Sequence, residues 1–236
     1  HYARVEYDEK RDRYLLKKAV DDTKDQSYVL YMLTQEQLAH VKLPLGGLRK
    51  EQVRVIAEKH GFINARKHDS QDICFVPDGD YAKFIEKYTG KKTPEGDFVD
   101  KEGNYIGRHK GIIHYTIGQR RGLGIPAASR LYVCEISPKT NTVVLGDNAD
   151  LFSSELEADS VNLISVDSLT EPKRVTAKIR YRHKEQPATA WQTPDGILHV
   201  KFDEPQRAIT KGQAVVMYDG DVVVGGGVIN KIYSQS

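Results

Sequence analysis

The sequence predicts an α+β fold, mostly β, with its helices gathered before Gly90 and antiparallel strands after it. Helical spacing of apolar residues occurs only in that first part. The remainder alternates with the two-residue period of strands. Turn signals such as Pro194-Asp195-Gly196 and Asp219-Gly220 punctuate it. With 236 residues, 39% hydrophobic composition and negative mean hydropathy, the chain can bury a real core, as one large domain or two to three small ones.

In chain order, "YARVEY" and "DRYLLK" read as a hairpin around the charged turn "DEKR". Asp22 or Thr23 then precedes a helical pattern from about Gln26 to His40. A second helix follows in "RKEQVRVIAEKHGF", where Val53, Ile56 and Ala57 recur at helical spacing and Gly61 stands where a C-terminal cap belongs. "KHDSQDICFVPDGD" reads as a loop, and "DYAKFIEKY" as a short amphipathic helix. "GIIHYTIG", "RLYVCEIS" and "NTVVLGD" form a first group of predicted strands. After the acidic connector "DNADLFSSELEAD" comes a second group: "VNLISV", "RVTAKIRYR", "ATAWQT", "ILHVKF" and the hairpin "AVVMYDGDVVVGGGVI". About six strands in some ninety residues predict a small closed barrel.

The apolar runs are too short and glycine-broken to span a bilayer, and no charged-then-apolar leader is present, so a soluble cytoplasmic protein is expected. The opening "HYARVEYDEK" reads as the inside of a strand and points to a fragment. Two distant cysteines make no disulfide framework, and with scattered histidines they show no metal-ligand spacing.

The net charge of +2 says little, but its distribution says more. No acid occurs from Asn104 through Cys134, where Arg108, Lys110, Arg120, Arg121 and Arg130 accumulate, nor from Pro172 through Lys184. Such runs are often merely solvated faces, yet two of them fit a polyanionic partner such as nucleic acid. In "RVTAKIRYR", Val175, Ala177, Ile179 and Tyr181 alternate with Arg174, Lys178, Arg180 and Arg182. A strand would put these cations on one face; solvated faces usually mix signs, so the row points to phosphate contact, for which Arg120 and Arg121 are further candidates.

Cys134, in "LYVCEIS", shares its predicted face with Tyr132 and Ile136 and reads as a core thiol. Cys74 lies among Asp69, Ser70, Gln71, Asp72, Pro77, Asp78 and Gly79, a polar setting suited to chemistry, although Ile73 and Phe75 could equally draw it into a core. Reactivity would require a stabilised thiolate, and Lys67 and His68 are the nearest cations in sequence. A Cys-His hydrolase would need one of the eight histidines beside it, and no local signature of such a peptidase is present.

"HYAR" at the start, "KDQSYVLY" at 24–31, "DSQDICFV" at 69–76, "HYTIGQRRGLGI" at 114–125 and "GGGVI" at 225–229 stand in the order found in the tRNA-specific 2-thiouridylases, which the chain resembles over essentially all of its length. The resemblance implies an enzyme that replaces the C2 oxygen of the wobble uridine of tRNA with sulfur. It implies the C-terminal remnant of an ATP-pyrophosphatase domain over 1–77, a small central β domain over 78–143 and a C-terminal antiparallel β-barrel over 144–236. The family's glycine-rich phosphate loop and first catalytic cysteine have no counterpart here. Cys74 matches the cysteine that a desulfurase, directly or through sulfur-relay proteins, loads as a persulfide. ATP would adenylate the uridine oxygen, the persulfide sulfur would attack C2, and the first cysteine would release that sulfur by forming a disulfide. By position, His1, Lys24, Asp25, Gln26, Arg180, Tyr181 and Gln213 match tRNA contacts, and an amide at Gln26 can read a uracil edge. From the residues alone, Lys24 to Gln26 could equally cap a helix and Gln213 sit in an ordinary turn. A non-catalytic RNA-binding module is the alternative to the enzyme; it would have no use for a reactive loop thiol.

Overall fold

The computed structural model describes residues 1–66, 76, 79–126 and 129–233. They form two compact units. The first draws on the N-terminal residues together with Ser154–Pro205 and Thr210–Tyr233, the second on the segment up to Ser153 together with Gln206–Ile209.

The N-terminal hairpin forms as its alternation predicts: β1 (Arg4–Asp8) and β2 (Arg13–Lys17) pair antiparallel from Arg4↔Lys17 to Asp8↔Arg13. The single helix expected over 26–40 is instead two short ones, α1 (Ser27–Leu30) and α2 (Gln35–His40). The break has a cause far away in sequence: Asn162 Nδ2 donates to the carbonyls of Tyr31 and Leu33, at 2.6 and 3.0 Å, and so holds the link open. Thr34 then starts α2 with a reciprocal cap, its hydroxyl accepting from Gln37 N while Gln37 Oε1 accepts from Thr34 N. α3 (Lys50–Lys59) ends as predicted at Gly61, whose φ of 70° lets Phe62 N reach Ala57 O. No residue of α3 is buried.

In the second unit, α4 (Tyr81–Thr89) runs between an Asp80 side-chain cap and the left-handed Gly90. Four strands follow: β3 (Gly96–Val99), β4 (Tyr105–His109), β5 (Tyr132–Ser137) and β6 (Thr142–Gly146), in the order β4-β3-β6-β5 with β3 and β6 parallel. Phe98, Tyr115, Leu123, Val133, Val143 and Leu145 make its core. "GIIHYTIG" is not a strand but a 3-10 turn at Ile112–His114. Gly111 and Gly118 take positive φ around it, and His109 accepts the Gly111 N–H, so the segment packs Ile112, Tyr115 and Ile117 on the core without a ladder. Cys134 also departs from expectation. A bulge between Val133 and Glu135 shifts the phase of β5, so Val133 is buried while Cys134 is only half-buried.

Six strands close the barrel of the first unit: β7 (Phe152–Leu163), β8 (Lys173–Lys178), β9 (Gln186–Gln192), β10 (Leu198–Arg207), β11 (Ala214–Asp219) and β12 (Val222–Tyr233). Their order is β12-β11-β8-β9-β10-β7, and β7 pairs back to β12. The acidic connector of the sequence reading is in fact most of β7, with Leu156 and Ala158 inward and the acids on alternate positions. β2 extends this sheet beyond β12, joined at Lys17↔Val222. Beneath the join lies a shared core of Ala3, Leu16, Tyr28, Tyr31 and Leu38 from the N-terminal segment with Ile164, Val216, Tyr218 and Val223 from the barrel. The glycines of "GGGVI" serve this packing, since a side chain at Gly226 would meet the Val215 carbonyl and the Tyr31 ring. Among the described residues, no helix is long and apolar enough to cross a membrane.

Candidate nucleic-acid interface

The segment Lys24–Gln26 is fixed by its own side chains and by Asp21. The buried Asp21 carboxylate accepts from Thr23 Oγ1 at 2.6 Å, Thr23 N at 3.1 Å and Lys50 N at 2.8 Å, and the Thr23 hydroxyl bond leads the effects that hold it below the usual carboxylate range. Lys24 N donates to the Asp21 carbonyl. Asp25 spends both oxygens on the chain itself: Oδ1 accepts from Ala19 N and Ser27 N, Oδ2 from the Ser27 hydroxyl. Gln26 Oε1 accepts from Tyr2 N at 2.9 Å, while Gln26 N donates to Tyr2 O. The amide NH2 of Gln26 is therefore the end left for a ligand, and it can donate to a carbonyl such as those of uracil. His1, adjoining this bond, is exposed.

The second contribution comes from the end of β8. The predicted strand "RVTAKIRYR" stops at Lys178, and a turn carries Arg180 to His183, with His183 N donating to Arg180 O. The expected single-sign row therefore does not form. Arg174 is on the strand but makes a two-pronged bond to Asp203, at 2.8 and 2.7 Å, and a third to Thr189. Its strand neighbour Lys173 pairs with Asp219 at 2.8 Å. Tyr181, expected inward with Val175, Ala177 and Ile179, is 41% exposed because the turn lifts it out while Ile179 stays buried.

That turn meets the N-terminal segment. The Tyr181 ring lies 6.1 Å from the Tyr28 ring at 53°, and Lys178 Nζ sits 5.8 Å from the Tyr28 centroid and 5.9 Å from that of Tyr181. The Tyr28 hydroxyl donates at 2.8 Å to the carbonyl of Ala214, next to the exposed Gln213. Burial, helped by Tyr31 and opposed by the Arg180 charge, pushes the Tyr28 phenol up to about 12. The charges of Lys24, Asp25 and Arg182 all act on Tyr181. Tyr181, the Arg180 charge and the Ala214 carbonyl beside Gln213 thus meet at the buried Tyr28, and the charges of Lys24 and Asp25 reach Tyr181, while Gln26 bonds Tyr2, next to His1.

Sequence reasoning missed what lies underneath. Tyr218, fully buried, carries Lys18 Nζ over its ring at 4.6 Å and has the Ser27 hydroxyl 3.4 Å from its own. Lys18 also pairs with Glu185 at 2.7 Å, and Glu185 accepts from Thr176 Oγ1 at 2.7 Å. Lys18, Thr176, Glu185 and Tyr218 fall in no motif that marks them. The only signal was local, Ser27 and Tyr28 within "KDQSYVLY".

In the second unit, Arg120, Arg121 and Arg130 are exposed, and Arg120 and Arg130 line a concavity of about 530 Å³ with Leu123 and Ile125. Arg108 of the same basic run bonds Asp97 at 3.1 Å. Burial, then the charge of Asp150, pushes the Cys134 thiol up to about 11, which leaves little thiolate at neutral pH. Cys74 lies outside the described residues.

Three family models match consecutive parts of the chain: a tRNA methyl transferase HUP domain over residues 1–78, a tRNA methyl transferase PRC-barrel domain over 82–147 and an aminomethyltransferase β-barrel domain over 153–229. The chain is 57% identical over 231 residues to the tRNA-specific 2-thiouridylase MnmA of Clostridioides difficile (strain 630), covering 98% of this chain and 64% of that protein. It is 56% identical over 229 residues to the protein of the same name from Acetivibrio thermocellus, covering 97% and 64%. It is 55% identical over 231 residues to MnmA 1 of Thermoanaerobacter sp. (strain X514), covering 98% and 64%. The chain thus spans 64% of the length of these curated relatives. With its closed C-terminal barrel, its N-terminal HUP-domain segment and this likeness along nearly all its residues, the chain belongs to the tRNA-specific 2-thiouridylase family.

Proposed function

We propose that the chain is the tRNA-binding and sulfur-carrying part of a cytoplasmic tRNA-uridine 2-sulfurtransferase. The observation that supports this most is the meeting of the turn after β8 with the 24–28 segment, where Tyr181 lies against Tyr28 within reach of the charges of Lys24, Asp25 and Arg182, a cationic and aromatic surface suited to RNA. In this reading residues 1–77 end the ATP-pyrophosphatase domain, 78–143 form the central β domain and 144–236 the barrel. A cysteine desulfurase or relay protein supplies sulfur as a persulfide on Cys74, and that sulfur becomes the 2-thio group of the wobble uridine. Activation of the uridine oxygen by ATP belongs to the same proposal. The glycine run at 225–227 lies within β12 against neighbouring backbone, so it offers no phosphate cradle, and no step through ATP is assigned to the residues described. Arg120, Arg121 and Arg182 are exposed and suited to phosphate contact.

The test is incubation with a desulfurase, radiolabelled cysteine, ATP and a tRNA transcript, followed by peptide mapping and nucleoside analysis. The expected result is label on Cys74, none on Cys134, and no 2-thiouridine formed by this chain alone. Label confined to Cys134 would overturn the assignment of the sulfur carrier, and 2-thiouridine in the tRNA would overturn the expected inactivity. Hydrolysis of a peptide or ester dependent on Cys74, without affinity for RNA, would favour a cysteine hydrolase instead.

A further inference from the structure

Lys178 belongs to a cationic run, yet its surroundings differ from those of a phosphate-binding lysine. It is the last residue of β8, paired across to Val216, and its ammonium lies against two tyrosine rings. It is half-buried, and the charges of Asp25 and Glu185 hold it while that of Lys18 opposes them. Burial pulls its pKa down, as expected of an ammonium turned away from water. Tyr181 stands beyond it on the turn, where one side of the ring meets Tyr28 and Lys178 and the rest is exposed. A ring on a turn stacks a base well only when its orientation is set beforehand, since ordering it during binding costs affinity.

We propose that Lys178 is a positioning residue: it holds the Tyr181 ring against Tyr28, in the orientation in which the exposed face of Tyr181 stacks an unpaired base of the RNA, and does not itself bind phosphate. The inference rests on the RNA-binding reading above and specifies its mode. Asp25 has a matching part. Its oxygens brace the 19–27 segment and its charge faces Lys178, so it anchors the pair from the N-terminal side.

The experiment measures affinity for an unmodified tRNA transcript over a range of salt, with the wild-type chain and the variants Lys178→Met, Lys178→Arg, Tyr181→Leu and Lys178→Met/Tyr181→Leu. Lys178→Met should weaken binding by about 3- to 30-fold, the range expected of a cation–π contact, with the salt slope unchanged. Lys178→Arg should restore binding, because a guanidinium keeps the contact with the rings. On the Tyr181→Leu background Lys178→Met should cost nothing further. Lys178→Gln with an unshifted melting temperature guards against a folding artefact and should behave like the Met variant. A slope shallower by about one unit in Lys178→Met, or losses that add in the double variant, would show a direct phosphate contact and overturn the inference. A wild-type chain without affinity for tRNA would instead defeat the functional reading on which the inference stands.

Discussion

The two acid-free stretches, 104–134 and 172–184, look alike in sequence and differ in their surroundings. In the first, Arg120, Arg121 and Arg130 stand exposed, while Arg108 is drawn to Asp97 and Glu95. In the second, Lys173 and Arg174 are bonded to acids of other strands, and only past Lys178 does the run turn outward, over a floor of Tyr28, Tyr218, Lys18 and Glu185. A stretch without acids in sequence is therefore not without acids in space. What sets the second apart is the buried polar and aromatic layer that fixes where its cations point.

Substitutions can break that contrast, beginning with the floor. Tyr218→Ala should destabilise the first unit by about 3–5 kcal/mol, the usual range for an aromatic lost from a core, as read by urea unfolding. A loss under about 1 kcal/mol would mean that the two segments do not share one core. Arg180→Ala/Arg182→Ala should flatten the salt dependence of tRNA binding by about 1.8 units, two contacts at about 0.9 each. Arg120→Ala/Arg121→Ala should flatten it less, and an equal effect would erase the distinction between the stretches. Asp21→Asn sharpens the picture through pH. The folded carboxyl is held below its ordinary value, so its contribution is present above the ordinary carboxylate range and is lost as pH falls through the depressed folded value. The variant should therefore be less stable by about 1.5–3 kcal/mol at neutral pH, with the difference closing in acid. Arg174→Ala should change the salt slope hardly at all, since Asp203 already occupies the guanidinium, and should leave the urea midpoint nearly where it was, because the pair is exposed to screening water.

The hairpin β1–β2, α3, α4 and the barrel's later strands were legible because each follows from local pattern: alternation, capping glycine, turn dipeptide. β7 was misread because Glu155, Glu157 and Asp159 occupy its outward positions and mask the inward Leu156 and Ala158. The end of β8 was misread for the opposite reason. Ile179 is buried after the strand has ended and so prolongs the alternation by one beat. The candidate interface was reached through resemblance and not through pattern. Its parts lie more than 150 positions apart, and no local rule connects Tyr28 to Tyr181 or Asn162 to the end of α1. The split between α1 and α2 is a decision made by the barrel.

The join of β2 to β12 also bears on how the protein comes into being. Arg4 bonds Asp221 across 217 positions, and Lys18 N bonds the Asp221 carbonyl. Contacts so distant in sequence are the costliest to close in chain entropy and form late. During synthesis Leu16 and Tyr28 of the earlier segment stay uncovered until Val216, Tyr218 and Val223 of β11 and β12 have been made. The turn after β8 therefore acquires its full tyrosine floor only once β11 has supplied Tyr218, and a product stalled before that strand would carry the cationic run without the buried layer beneath it.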